Sequence, residues 1–472
     1  MFDVVVIGGG IGGYTAAIRG AKKGLKVLLI EKEKLGGTCL HKGCIPTKIM
    51  LELSKKVQAL KHSHEWGIKS VDENNVEKVD YPKFLEKREG IIDQLFSGLR
   101  FLMKKNKITV VEGQAEAILK MAETFLIKVR RLTNEIEEFE GKHVILATGT
   151  VPLVPKNVDE HSEKIVTSDT LLDLDYLPNS ISIMGGGVIG VEYATFFSEM
   201  GCAVTIIEKE KHLIPTNDEE ICNELEKSLR KKGVNLYLGH EVILEEIQDN
   251  NDHLEITLQN NETSLTTAIP SDILLVATGR KTTFADLQLN FDMETENHFV
   301  KTNEFMETSL KGLYAVGDIT GSYQLAHLAA HQGTIAIDSI LGDYVEPVNE
   351  QYIPKCIYTN PEIASIGLTE SECIRSGRKF QVGKFHYTGN GKALISSNNQ
   401  GFAKVITDIK TDQVVGVHLI GEKATELIGE LSLGMLLETT SWEMSTAIHP
   451  HPSISEILGE AALAVQGLEI NG

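Results

Sequence analysis

Cysteine is scarce in this chain, with six in 472 residues, and tryptophan is scarcer still at two. So sparse a set does not make the disulfide framework of a secreted domain. It points to a reducing compartment, where a disulfide serves chemistry rather than stapling. Long apolar runs are missing too: none approaches the roughly 18 residues needed to cross a bilayer. The opening "MFDVVVIGGG" reaches a glycine turn by residue 8, which leaves no room for a basic region, an apolar region and a cleavage site. A cytoplasmic location is the expectation. Positive charge is also in deficit, with 46 basic against 66 acidic residues and a net charge of −20. That balance argues against nucleic acid or an anionic membrane as the main partner.

What is present is ample core material. Hydrophobic content of 42% and charged content of 24% are those of a globular protein, and the length predicts roughly three domains. The first recognisable device follows the buried run "DVVVIG". Gly8, Gly10 and Gly13 fit G-x-G-x-x-G, a helical stretch follows, and the next strand, "KVLLIEK", carries Glu31 18 residues beyond Gly13. Small residues permit a tight turn and let a pyrophosphate approach the amides at a helix N-terminus, while the acid accepts hydrogen bonds from a ribose. The device recurs at Gly185, Gly187 and Gly190, with Glu208 again 18 residues on. Two such βαβ units predict two dinucleotide sites, as in an enzyme that passes electrons between two cofactors. A carboxylate at Glu208 suits the free ribose hydroxyl of NAD and repels the 2′-phosphate of NADP. The neighbouring Lys209 and Lys211 read as solvated surface charges.

Two strand ends, "HVILATGT" (143–150) and "ILLVATGR" (273–280), mark where the chain leaves one dinucleotide unit for the next. The polar stretches before them, "TNEIEEFEGK" and "QNNETSLTTAIPSD", read as hairpin or loop. "TSLKGLYAVGDIT" then returns the chain to the first unit and offers Gly317 and Asp318 after another strand. From residue 349 the texture changes to alternating strands, "FAKVITD" and "QVVGVHLIG", followed by the helical "ATELIGELSLGMLLE". The expected fold class is α/β: two Rossmann-like dinucleotide-binding domains, one at 1–150 with 280–348 and one at 151–279, plus a C-terminal α+β domain at 349–472.

Cys39 and Cys44 stand five positions apart in "EKLGGTCLHKGCIPTKIM". C-x4-C is not a usual zinc spacing and no further Cys or His pair stands nearby, so no metal is expected. In a regular helix their Cα atoms would be about 8 to 9 Å apart, beyond the limit of about 7 Å for a disulfide. Joining them requires a distorted turn, which the glycines before each cysteine supply. Such a bond is easily reduced. Pro46 favours a helix starting at the second cysteine, which lowers the thiolate pKa of Cys44, and Lys48 adds a cation one turn on.

The segment "GGTCLHKGCIPTK" resembles the redox-active stretch of the class I pyridine nucleotide-disulfide oxidoreductases. The order of motifs along essentially the whole chain is similar to that family's, ending in "AIHPHPSISEI". The resemblance implies that FAD lies on Gly8, Gly10 and Gly13 with its adenosine ribose on Glu31. Gly317 and Asp318 would meet its pyrophosphate and ribityl region, Lys48 would stand close to the flavin, and backbone at Ala115 and Ala326 would line the same pocket. It places NAD over Gly185, Gly187 and Gly190, with Glu208 on the ribose and Gly279 in the second turn. Cys39 becomes the interchange thiol that meets the substrate and Cys44 the charge-transfer thiol.

His451, oriented by Glu456, becomes the base. The last domain becomes the dimerisation domain of a homodimer, so that His451 serves the cysteines of the other subunit. The implied reaction is oxidation of dihydrolipoamide, carried on the acyltransferase subunit of a 2-oxo acid dehydrogenase complex, with NAD as acceptor. An NADPH-dependent glutathione-type disulfide reductase is the alternative, and Glu208 speaks against it. His41-Lys42, Thr47 and Pro450 depart from the residues usual in the family, but none of them removes a reacting atom. His62 and His64 read as surface residues, and Cys202, Cys222, Cys356 and Cys373 as ordinary thiols.

Overall fold

Aliphatic and β-branched residues with no polar interruption build strands buried on both faces, as parallel sheets require. The run Phe2–Ile7 is such a strand, and Val27–Glu31 is buried along its whole length. In the computed structural model, which describes residues 1–68, 79–158 and 162–471, these two pair in parallel at the centre of the first sheet. Thr109–Lys120 lies beyond Val27–Glu31, while Ile136–Leu146 and then Leu313–Ala315 extend the other side, all parallel. The far ends of Thr109–Lys120 and Ile136–Leu146 splay from this sheet and are closed by Phe125–Arg131 in antiparallel pairing. The polar "TNEIEEFEGK" is therefore the tip and rising strand of a hairpin. Helices α1 (Ile11–Lys22), α2 (Gly37–His41), α3 (Cys44–Lys61) and α4 (Tyr81–Lys105) belong to this unit. The side chain of Asp80 caps α4 by accepting from the Lys83 N–H. His62 and His64 fall at the exposed end of α3, with His62 against Glu65.

The second sheet repeats the plan. Its parallel order is Asn235–Leu238, Ala203–Glu208, Ser180–Met184, Ile273–Val276, Ile165–Thr167, with α5 (Val188–Glu199) and α6 (Glu219–Lys231) as its helices. The polar stretch before the second crossing is again a hairpin, with Leu254–Asn260 against Thr266–Ser271. Where the chain passes between the two sheets, Thr150–Pro152 and Arg280–Thr282 pair as a short antiparallel ribbon. Helix α7 (Ala326–Leu341) then packs back across α1. The approach is close enough that a Cβ on Gly333 would stand 2.4 Å from the Gly12 carbonyl oxygen.

The third sheet is antiparallel, ordered Lys355–Ile357, Glu362–Gly367, Val414–Gly421, Phe402–Asp408, Phe380–His386, with the helices Ala424–Leu436 and Glu456–Ala464 burying their apolar sides on its core. The expected α/β architecture with a C-terminal α+β unit is what the chain forms. One apolar core runs through all three sheets' territory: it joins Met50 of α3 and Phe84 of α4 to Phe196 and Phe197 of α5 and to Ile363 and Ile420 of the third sheet. Helix α5 is apolar on almost every side, as a helix surrounded by protein must be. A polar tie adds to this core. Lys404, 1% exposed, reaches from the third sheet to Asp218 at the N-cap of α6 (2.8 Å), with Glu370 of its own unit also in contact.

Candidate active site

The two glycine turns are built alike. Gly8 and Gly185 have φ of +104° and +114°, which glycine adopts without strain. A Cβ on Gly13 would stand 1.9 Å from the Gly8 carbonyl oxygen, and one on Gly190 would stand 2.0 Å from that of Gly185. No larger residue fits either position. Above Gly10 and Gly187, by contrast, a Cβ would meet nothing within 4 Å. Each is the N-cap of a helix, α1 or α5, and no side chain caps that helix start, the setting in which a helix N-terminus can cradle a phosphate. Glu31 and Glu208 complete the two turns in the same way. Their Oε2 atoms accept the Gly9 and Gly186 N–H groups, both at 2.6 Å, and their Oε1 atoms accept from Glu33 and Glu210. Lys211 pairs with Glu262 at the surface.

The cysteine segment starts directly on the first cradle. The Gly36 N–H donates to Gly9 O at 2.8 Å, and Gly37 lies against Gly10. Helix α2 carries Cys39, the chain breaks at Lys42 and Gly43, and α3 starts at Cys44. The break is the distorted turn that five-residue spacing requires. Both cysteines are free thiols, and each is the leading influence on the other's titration. The hydrogen bond from Cys39 is the largest influence lowering the Cys44 thiol, which settles at about 7 against the opposition of burial, with help from the Lys48 ammonium. Cys39 is pushed up, first by the same bond and then by burial. Cys44 is thus the thiolate of the pair and Cys39 its proton-bearing partner. Tyr14 of α1 stands near Cys39, and its hydroxyl is pushed up by burial and by that sulfur. The departures at His41 and Lys42 are held in place: His41 Nε2 lies 2.9 Å from Leu35 O, and Lys42 pairs with Glu33.

Lys48 is gripped by a residue that sequence reasoning missed. Its Nζ lies 2.9 and 2.8 Å from the two oxygens of Glu192 on α5, and 4.5 Å from the centre of the Tyr358 ring. Glu192, 4% exposed, also accepts the Tyr358 N–H at 2.9 Å. Thr47 Oγ1 meets the Tyr193 hydroxyl at 3.3 Å. The available signal was an acid inside the otherwise apolar "VIGVEYATFF". Buried carboxylates need partners, and here they come from two other parts of the fold.

Val316 packs on Gly12, which brings Gly317 and Asp318 beside the first cradle. The Gly317 N–H donates to the Gln332 side chain at 2.7 Å, and Asp318 accepts from Thr150 Oγ1 at 2.9 Å. Ala326 is the first residue of α7. Ala115 lies on Thr109–Lys120, three residues past Glu112, the partner of Glu31 across the strands. Gly279 sits in the second Thr-Gly turn with φ +133°. His451 and Glu456 are not brought to the cysteines within one chain by any hydrogen bond among the described residues. They form their own unit: His451 Nδ1 is 2.8 Å from Glu456 Oε1, and the ring is 80% exposed. Burial works to raise the Glu456 carboxyl, but the Ser453 N–H and the His451 ring outweigh it and hold it low. His449 is engaged with Glu430.

Two nucleotide cradles, a dithiol seated on the first of them and a histidine–carboxylate pair on a third domain define a class. The family model for pyridine nucleotide-disulphide oxidoreductases matches residues 2–333, and that for the dimerisation domain of the same family matches 353–462. The chain belongs to the pyridine nucleotide-disulphide oxidoreductases. Among curated relatives, the dihydrolipoyl dehydrogenase of Bacillus subtilis is 39% identical over 100% of this chain and 99% of its own length. The mitochondrial dihydrolipoyl dehydrogenase of Pisum sativum is 34% identical over 98% of this chain and 91% of its own. Among solved structures, the HOCl-induced flavoprotein disulfide reductase RclA of Escherichia coli aligns with a TM-score of 0.83 at 25% identity, over 97% of this chain and 98% of its own. LpdA of Mycobacterium tuberculosis, at 24% identity and a TM-score of 0.89 over 98% of this chain and 99% of its own, shares the fold.

Proposed function

We propose that this flavoprotein oxidoreductase oxidises protein-bound dihydrolipoamide to lipoamide with NAD as acceptor, as dihydrolipoyl dehydrogenases do. The observation that carries the reading is the Cys39–Cys44 pair, seated on the first glycine turn, with the Cys44 thiol lowered by its partner sulfur and by the Lys48 ammonium. Residues 1–150 with 280–348 form the FAD domain, 151–279 the NAD domain and 349–472 the dimerisation domain. Gly8, Gly10, Gly13, Glu31, Lys48, Ala115, Gly317, Asp318 and Ala326 hold FAD, and Gly185, Gly187, Gly190, Glu208 and Gly279 hold NAD. The open space above Gly10 and Gly187 fits a pyrophosphate in each case.

The chemistry of the chain's own residues runs as follows. The disulfide form of the pair is attacked at Cys39 Sγ by one sulfur of the substrate. Its proton passes to His451 Nε2, the ring nitrogen left available because Nδ1 faces Glu456. The Cys39–Cys44 bond breaks and its electron pair leaves on Cys44, where Lys48 and the N-terminus of α3 stabilise the thiolate. The second substrate sulfur then displaces Cys39, which takes up a proton. Lipoamide departs, with one of its two protons on Cys39 and the other on His451. FAD, when bound, supplies the two-electron acceptor between the dithiol and NAD.

The chain works as a homodimer, in which His451 serves the cysteines of the other subunit. Support comes from the apolar residues that the third domain presents to solvent, Leu433, Leu436, Leu437 and Ile448, the last 98% exposed. A lipoyl-bearing acyltransferase subunit of a 2-oxo acid dehydrogenase complex is its partner, and the sparse thiols fit the cytoplasm. Among the described residues no helix is long and apolar enough to cross a membrane. The purified protein is expected to be yellow, to develop a long-wavelength charge-transfer band on addition of dihydrolipoamide, and to reduce NAD in preference to NADP. A colourless protein, or full dihydrolipoamide turnover by Cys44→Ser, overturns the proposal.

A further inference from the structure

We propose that Arg280 is a positioning residue that fixes the carboxylate of Asp318 through the hydroxyl of Thr150, and so ties the nicotinamide-side turn to the flavin-side cradle. The inference rests on the assignment of the two cradles made above, and it starts from the ribbon where the chain crosses between the two sheets. Thr150 begins the first strand of that ribbon and Arg280 the second. Arg280 follows Gly279 directly, and its side chain is only 10% exposed. Its Nε donates to Thr150 Oγ1 at 2.9 Å and its Nη2 to Thr150 O at 2.8 Å, while Nη1 lies 3.7 Å from Asp169. Thr150 Oγ1 in turn donates to Asp318 Oδ2 at 2.9 Å.

The direction of this chain of bonds is forced. A guanidinium has donors and no acceptor, and a carboxylate accepts. The Thr150 oxygen must therefore receive the Arg280 N–H, and its single proton is left for Asp318. A hydroxyl between two groups of fixed polarity cannot rotate away without losing both bonds. Asp318 stands at the C-terminal end of the strand Leu313–Ala315, next to the turn at Gly8 to Gly13, on the edge where open parallel sheets bind their ligands. One of its oxygens is fixed by Thr150, which aims the other. Lysine at 280 would not substitute, because a point charge cannot hold the hydroxyl, the carbonyl and Asp169 together.

The test is a double-mutant cycle read by the rate at which FAD leaves the holoenzyme dimer on dilution, followed as the fluorescence of released flavin. Thr150→Val keeps the shape and removes the hydroxyl. Thr150→Ser keeps the hydroxyl. We expect Thr150→Val and Arg280→Met each to speed flavin release about tenfold, as for the loss of one hydrogen bond to a charged group. Thr150→Ser should remain near wild type. The double variant should be no faster than the faster single, because both changes cut one chain of bonds. Release rates that multiply in the double variant, or a Thr150→Val protein that retains FAD like wild type, overturn the inference. If Arg280→Met does not fold, the comparison of Thr150→Val with Thr150→Ser decides alone. A wild-type protein that never retains FAD defeats the functional reading itself; FAD retention indifferent to these changes defeats only the role of Arg280.

Discussion

Replacing Cys39 with alanine tests the electrostatics of the redox pair. The ordinary thiol value of 9.0 falls to about 7 at Cys44, and the hydrogen bond from Cys39 is the first cause. At about 1.4 kcal/mol for each pH unit, the whole displacement amounts to about 3 kcal/mol in favour of the thiolate. In Cys39→Ala the donor is gone while burial still opposes the charge, so the Cys44 titration should move back toward 9.0 despite Lys48. In Cys39→Ser a hydroxyl can donate in place of the thiol, and the titration should stay near 7. The assay is thiolate ultraviolet absorbance against pH, confirmed by the pH dependence of the charge-transfer band. The four other thiols do not interfere, because burial pushes Cys202 and Cys356 up to about 11 and Cys222 to about 12, and raises Cys373 as well. The folded-state value at Cys44 is depressed, so its contribution to the stability of the reduced protein is complete above pH 9 and is lost as the pH falls through about 7. Cys39→Ala titrating at or below 7, or matching Cys39→Ser, would refute the assignment of the thiolate.

Three further outcomes are expected. Gly190→Ala places a Cβ 2.0 Å from the Gly185 carbonyl oxygen, so the protein should remain yellow and dimeric while losing saturable NAD reduction; unchanged NAD kinetics would contradict the second cradle. Glu456→Gln removes the charge facing His451 Nδ1 and should lower kcat with dihydrolipoamide about tenfold or more, while reduction of an artificial dye by NADH, which needs no base for a thiol, is spared. Glu199→Ala leaves Lys232, Ser54 and Asn360 without their shared carboxylate; a loss of about 3 kcal/mol in urea unfolding is expected, and a neutral result would show that this junction does not hold the fold.

Both cradles were legible in the sequence because their geometry is local: Gly8 to Glu31 and Gly185 to Glu208 each lie within one βαβ unit. The break between Cys39 and Cys44 and the helix start at Cys44 were legible for the same reason, since glycine and proline act on their own stretch of backbone. Glu192 was not, because its partners are 144 residues before it at Lys48 and 166 residues after it at Tyr358. Lys404 hides in the same way. In "FAKVITD" it is a single cation among apolar neighbours on both faces, and the acids that close over it, Asp218 at the N-cap of α6 and Glu370, lie far from it in the sequence. Polar "TNEIEEFEGK" left hairpin and loop open, because its strand is exposed on both faces from Ile136 to Glu138, and the pairing with Phe125–Arg131 makes it a hairpin.

Glu192 and Glu199 stand seven residues, about two turns, apart along α5. Glu192 engages Lys48 of α3 and the backbone of Tyr358; Glu199 engages Ser54 of α3 and Asn360. The helix therefore works as a keel, with the same two neighbours bolted to it at bow and stern. A displacement of the segment from Tyr358 to Asn360 would be felt at both acids of α5, and through Glu192 at the Lys48 ammonium.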